Sequence, residues 1–232
     1  MLIKEAIILA GGLGTRLRSA VPNLPKCMAP VAGKPFLSYV IEYCLSQKVE
    51  RFILSLGYKH EVIEEYISTA YPHLIVEFSV EEKLLGTGGA IKLACSKATE
   101  KTVLVLNGDT LFKVDISKMA AFHHMCGAHC TLALKPMKNF ERYGLVLLNK
   151  DYSLQAFREK QYYEEGLING GVYALHTQKF LEEDLPEVFS FETDYLEKSL
   201  GEKRIYGVIQ DAYFIDIGIP EDYERAQEEL KN

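Results

Sequence analysis

What most constrains the fold of this chain is an alternation that fills its first half. Strand-length runs of Val, Ile and Leu are each followed by a segment whose apolar residues recur three and four apart. That is the signature of a parallel sheet covered by helices on both faces. Residues 4–10, 51–56, 75–80 and 102–106 read as strands, and residues 36–47, 60–70 and 89–97 as helices. After Asp109 the pattern changes. A helix over residues 115–125 is followed by four candidate strands at 130–135, 144–148, 154–158 and 167–175, separated by turn residues. A last strand at 213–217 leads into a helix over 220–230, with Pro220 at its start and Glu221 and Asp222 in its first turn, as the helix dipole favours. The expected fold is α/β: a Rossmann-like, mostly parallel central sheet plus a smaller strand-rich part. No linker divides it, so residues 1–232 are read as one domain.

Composition narrows the function. A net charge of −6 without clustered Lys or Arg excludes a general nucleic-acid surface, which needs a basic face. The apolar run near the N-terminus stops at Gly11, too short for a signal peptide or a membrane span, so a cytoplasmic protein without a membrane partner is expected. The five cysteines are odd in number and scattered, which points to reduced thiols. Asp115, Asp211, His123, His124 and His129 match no ligand spacing; the aspartates are read as structural, the histidines as helix-surface or loop residues.

The first strand runs into "AGGLGTRLRSAVPNLPK". Gly11, Gly12 and Gly14 stand at the carboxyl end of a strand, where open α/β sheets place their ligands. The spacing is neither the dinucleotide fingerprint nor a phosphate-binding P-loop. By themselves these glycines form either a tight turn or a cradle of amides for an anion. Arg16, Arg18 and the proline-flanked Lys26 add cations suited to phosphate oxygens.

"LAGGLGTRL" with "LPKCMAPVAGKPFL" resembles the signature of the sugar nucleotidyltransferases, which join a nucleoside triphosphate and a sugar 1-phosphate into a nucleoside diphosphate sugar. The resemblance continues in the family's order through "EEKLLGTGGAI", "LVLNGDTLF", "RYGLV", "FREK", "LINGGVYAL" and "FIDIGIPEDYERA". It departs at Cys27 and Gln161, where proline is usual, and neither change removes a chemical group. Together with "SFETDYLEK", these segments are similar to guanylyltransferases acting on a manno-heptose 1-phosphate, which implies GTP and a heptose 1-phosphate as substrates.

The resemblance also implies roles. Leu9, Gly11, Gly12, Glu81, Gly86, Thr87, Asn107 and Gly108 would bind the nucleotide, with Arg16 on the β- and γ-phosphates and Lys26 near the α-phosphate. Asp109 and Asp216 would hold Mg²⁺, and Gly144, Glu159, Lys160, Asn169 and Gly171 would bind the sugar phosphate. The catalytic set is then Arg16, Lys26 and Asp109. Residues 1–110 would serve mainly the nucleotide and 111–232 mainly the sugar. A phosphate monoester loses its second proton near a pKa of about 6, so the nucleophile arrives ionised and needs no base. That agrees with the lack of a recognisable catalytic triad. A glycosyltransferase would bring an Asp-x-Asp motif, which is absent, and a non-catalytic subunit would have lost these cations and aspartates. Association into a homo-oligomer is compatible with the sequence.

Overall fold

The apolar runs become strands because alternate residues of each are buried on opposite faces of one sheet. The computed structural model describes residues 2–12, 17, 21–201 and 204–231. In chain order its elements are β1 (Glu5–Leu9), β2 (Pro30–Val31), β3 (Lys34–Pro35), α1 (Phe36–Ser46), β4 (Arg51–Leu56), α2 (His60–Ala70) and β5 (Ile75–Val80). Then come α3 (Gly86–Cys95), β6 (Thr102–Asn107), β7 (Thr110–Phe112), α4 (Ile116–Met125), β8 (Cys130–Phe140), β9 (Leu145–Leu148) and β10 (Leu154–Arg158). The chain ends with β11 (Tyr163–His176), α5 (Thr177–Leu181), a π-helix (Phe191–Glu197), β12 (Ile205–Ile209), β13 (Phe214–Asp216) and α6 (Pro220–Glu229).

Strands β6, β1, β4 and β5 lie side by side in parallel, the Rossmann-like unit that the alternation predicts. Ile8, Leu54 and Leu104 face a core closed by α1, α2 and α4, while Ile7, Ile53 and Val105 face a second core under α3 and the π-helix. Burial on both faces is what makes β1, β4 and β6 nearly continuously apolar, whereas β5, at the sheet edge, is mostly half-buried and carries Glu77. The second half is antiparallel where it joins: the C-terminal part of β11 pairs with β6, and its N-terminal part with β9. β8 runs along β11, and β12 pairs in parallel with β8.

Differences from the sequence reading have physical causes. β8 and β11 extend past their expected ends, because they pair with each other beyond the core, where exposed Lys138, Asn139, Glu164 and Glu165 interrupt the apolar pattern. β2, β3, β7, α5, the π-helix and β12 were not expected; all but the π-helix are five residues or shorter. Asp115 is structural, as expected: its side chain caps α4 by accepting from Lys118 N at 2.9 Å. His123 corrects the surface reading. It is 4% exposed and hydrogen-bonded through Nδ1 to Thr131 Oγ1 at 2.9 Å. The five cysteines are free thiols, and among the described residues no helix is long and apolar enough to cross a membrane.

Candidate active site

Three parallel strands end together at one place: Leu9 of β1 is in register with Ser55 of β4 on one side and with Asn107 of β6 on the other. Past these ends opens a cavity of about 430 Å³. Leu9, Gly11, Gly12, Lys26, Glu81, Gly86, Thr87, Asn107 and Asp109, all named from the sequence, line it. Arg16, Gly14 and Arg18 lie outside the described residues. Ser55, Leu84, Ala90 and Gly218 also line the cavity and were missed. Ser55 had a signal, because it occupies the strand end next to Leu9.

The glycines have distinct local reasons. A Cβ on Gly11 would stand 3.0 Å from Gly57 N and 3.1 Å from Glu81 Oε1, so the chain turns there against the end of β4. Gly108 does not line the cavity; a Cβ there would meet Leu9 O at 2.9 Å, and its N–H donates to that oxygen. Gly88 and Gly89 make room for the second half of the chain. Added Cβ atoms would lie 2.1 Å from the Phe189 ring and 2.4 Å from Glu187 O. The same segment is tied by Gly88 N donating to Phe189 O (2.9 Å), Phe189 N to Leu85 O (3.0 Å) and Phe191 N to Thr87 Oγ1 (3.0 Å). Glu81 closes the turn into α3 by accepting from Leu85 N at 2.8 Å, and burial raises its carboxyl above the usual range.

At the cavity mouth two carboxylates meet one ammonium. Lys26 follows Pro25 and opens a single 3₁₀ turn, and its Nζ donates to Asp109 Oδ2 and lies 3.6 Å from Asp216 Oδ1. The aspartates are distant in sequence, but β7 pairs antiparallel with β13, placing Asp216 opposite Thr110, the neighbour of Asp109. Burial raises the Asp216 carboxyl; Lys26 opposes that and Asp109 adds to it. Arg142 reaches the same carboxylate, with Nη2 3.8 Å from Asp216 Oδ2, while its Nη1 donates to Asp222 in the first turn of α6. Among the described residues no group of three or more His, Cys, Asp or Glu forms a protein metal cage. Two carboxylates gathered on a cation suit an oxygen-seeking ion that completes its shell with substrate phosphates and water.

The residues that the resemblance assigns to the sugar phosphate lie outside the cavity but near one another. Leu145 of β9 pairs with Arg158 of β10 and with Ile168 of β11, so Gly144, Glu159 and Asn169 each follow one residue further along neighbouring strands. Gly144 permits the approach, since a Cβ would lie 2.8 Å from Arg158 O. Glu159 and Lys160 are exposed. Asn169 Nδ2 donates to Tyr173 Oη (2.8 Å) and to Glu192 Oε1 (2.7 Å), and its Oδ1 accepts from Gly171 N (3.1 Å). Gly171, at φ +70°, brings β11 against the cavity wall, where a Cβ would stand 2.6 Å from Asn107 Nδ2.

A strand-end cavity in a Rossmann-like sheet, with a lysine and paired aspartates at its mouth, defines a nucleotide-handling transferase, and the family model described as "Nucleotidyl transferase" matches residues 5–232. The chain belongs to that family. It is 55% identical, over 98% of its length and 99% of the relative, to the D-glycero-alpha-D-manno-heptose 1-phosphate guanylyltransferase of Aneurinibacillus thermoaerophilus. The protein of the same description from Campylobacter jejuni is 43% identical over 94% of this chain and 96% of its own. Among solved structures, HddC from Yersinia pseudotuberculosis complexed with GMP-PN superposes with a TM-score of 0.89 at 37% identity, covering 99% of this chain and all of that one.

Proposed function

We propose that this chain transfers GMP from GTP to D-glycero-α-D-manno-heptose 1-phosphate and releases pyrophosphate. The 55% identity over nearly the whole of both chains to a guanylyltransferase of that description carries the reading. The cavity supports it, with glycine backbone on one wall and the cluster of Lys26, Asp109 and Asp216 at its mouth.

In this reading a sugar-phosphate oxygen, already ionised, attacks the α-phosphorus, and the leaving pyrophosphate takes up negative charge. The protein's task is to hold two anions in line and to offset that charge. Gly11 and Gly12 receive the phosphates, joined by Arg16. Lys26 turns from its carboxylates toward the α-phosphate. Glu81 offers the guanine N1–H and N2–H an acceptor through Oε1, while Oε2 stays on Leu85 N. Asp109 and Asp216 would hold Mg²⁺, which, when bound, supplies charge neutralisation at the phosphates. Gly144, Glu159, Lys160, Asn169 and Gly171 form the sugar side. The free thiols fit a reducing compartment such as the cytoplasm.

The test is a matrix of GTP, ATP, UTP, CTP and dTTP against heptose, mannose and glucose 1-phosphates, with Mg²⁺, read by pyrophosphate release. GTP with the heptose 1-phosphate should give the highest kcat/KM. A different preferred pair, or no release at all, overturns the assignment.

A further inference from the structure

The resemblance names Asn169 as a sugar ligand, yet the structure gives both of its N–H donors to other side chains. One goes to Tyr173 Oη at 2.8 Å and the other to Glu192 Oε1 at 2.7 Å. An amide has two N–H donors, so this group is spent as a donor. The side chain that reaches open space is Glu192, which is exposed and takes the Asn169 bond on Oε1, leaving Oε2 with its lone pairs. We infer that Glu192 is a specificity-determining residue for the sugar 1-phosphate, its carboxylate accepting sugar hydroxyls beside Glu159, with Asn169 as the residue that positions it.

The backbone under Glu192 is fixed on three sides. Phe191, 2% exposed, packs its ring 5.1 Å from Tyr173 and 5.3 Å from Tyr195. Its N–H donates to Thr87 Oγ1 at the cavity wall. Ser190 exchanges caps with the following turn, accepting from Thr193 N at 3.3 Å and donating its own N–H to Asp194 Oδ2 at 2.8 Å. The carboxylate is therefore presented by a rigid turn and aimed by Asn169, which stands in the row formed by Gly144 and Glu159. Its length also suits a polyol, since a carboxylate accepts two neighbouring hydroxyls at once and discriminates strongly against a partner lacking them.

This inference rests on the guanylyl-transfer reading, and the experiment separates the two. Wild-type turnover of GTP with the heptose 1-phosphate is measured first; its absence overturns that reading and this assignment with it. Given turnover, Glu192→Gln keeps the acceptor for Asn169 but removes the charge, and should raise the sugar 1-phosphate KM on the order of 10- to 100-fold. The GTP KM and the melting temperature should stay at wild-type values. Glu192→Asp keeps a negative charge in the first turn of the π-helix but shortens the reach, so it too should raise the sugar KM. A sugar KM within twofold of wild type in Glu192→Gln overturns the inference. So does full rescue by Asp, or an equal rise in both substrates' KM, either of which marks a structural role.

Discussion

At Gly86 the cavity wall stands tight against the second half of the chain in a left-handed conformation, and Gly86→Ala turns that contact into a number. Its φ is +71°, and a Cβ would stand 2.5 Å from Phe189 O. An L-residue in the left-handed region costs about 1–2 kcal/mol. The carbonyl must also retreat by about 0.9 Å to reach the 3.4 Å of an ordinary contact. That oxygen accepts from Gly88 N at 2.9 Å, and the N–H of the same residue donates to Leu85 O at 3.0 Å. Losing both bonds adds about 1 kcal/mol each, for a total of about 3–4 kcal/mol. Gly33→Ala is the control, because φ there is +91° and nothing lies within 4 Å, so only the conformational cost remains. Urea unfolding should place Gly86→Ala about 2 kcal/mol below Gly33→Ala. Since Gly86 and Thr87 line the cavity, the GTP KM should rise while the sugar 1-phosphate KM holds. Equal stability of the two variants to within about 0.5 kcal/mol, or an unmoved GTP KM, would refute the bracing argument.

For Lys26→Met, we expect kcat to fall on the order of 10²- to 10³-fold with the preference for GTP kept, since a charge-offsetting contact at the reacting phosphate is lost. Pyrophosphate release measures this, and an unchanged kcat returns Lys26 to a purely structural ion pair. His123 predicts an acid-sensitive stability. Burial lowers its pKa from 6.5 to about 4, so the unfolded chain takes up the proton first, and the stabilisation, intact above pH 6.5, is lost as the pH falls toward 4. The full loss is about 3 kcal/mol, of which about 2 kcal/mol falls between pH 7 and 5. His123→Asn keeps an amide near the Nδ1 position and should lack that part of the slope in urea titrations. Parallel slopes would contradict the buried neutral imidazole.

Legibility followed periodicity. The inner parallel strands could be placed within a residue or two because burial on both faces leaves apolar runs in the sequence, as in Ile7, Ile8 and Leu9. His123 was misread although the signal was there. Ile116, Met119, Ala120 and His123 are spaced at helix period, and all four are buried. A polar residue at the fourth position of an apolar stripe belongs to the core face. The π-helix was illegible for the opposite reason: its buried Phe191, Tyr195 and Leu196 are interleaved with Glu192, Thr193 and Asp194, and the segment is only seven residues long. No local pattern around Gly88 and Gly89 announces that Phe189 and Glu187 pack there from a hundred residues away. The aspartate pair came from motifs, because antiparallel pairing of two three-residue strands leaves almost no periodic trace.

The same strand pairing bears on how such a site would work. In-line attack needs the sugar-phosphate oxygen and the α-phosphorus held within a few tenths of an ångström of a productive geometry, and misplacement is costly in rate. Here one strand would join the two proposed sides. β11 pairs with β9 beside Gly144, shifts register between Asn169 and Tyr173, and continues against β6, whose last residue, Asn107, lies at the cavity. The shift falls at Gly170 and Gly171, where added Cβ atoms would stand 2.2 Å from the Phe112 ring and 2.6 Å from Asn107 Nδ2. The glycine pair thus lets β11 close against Phe112 and Asn107, and if the row of Gly144, Glu159 and Asn169 holds the sugar 1-phosphate as proposed, the hydrogen-bonded sheet sets its spacing from the cavity before either substrate arrives. Preorganisation of this kind suits a reaction in which both reactants are anions, because the scaffold rather than the substrates carries the cost of bringing like charges together.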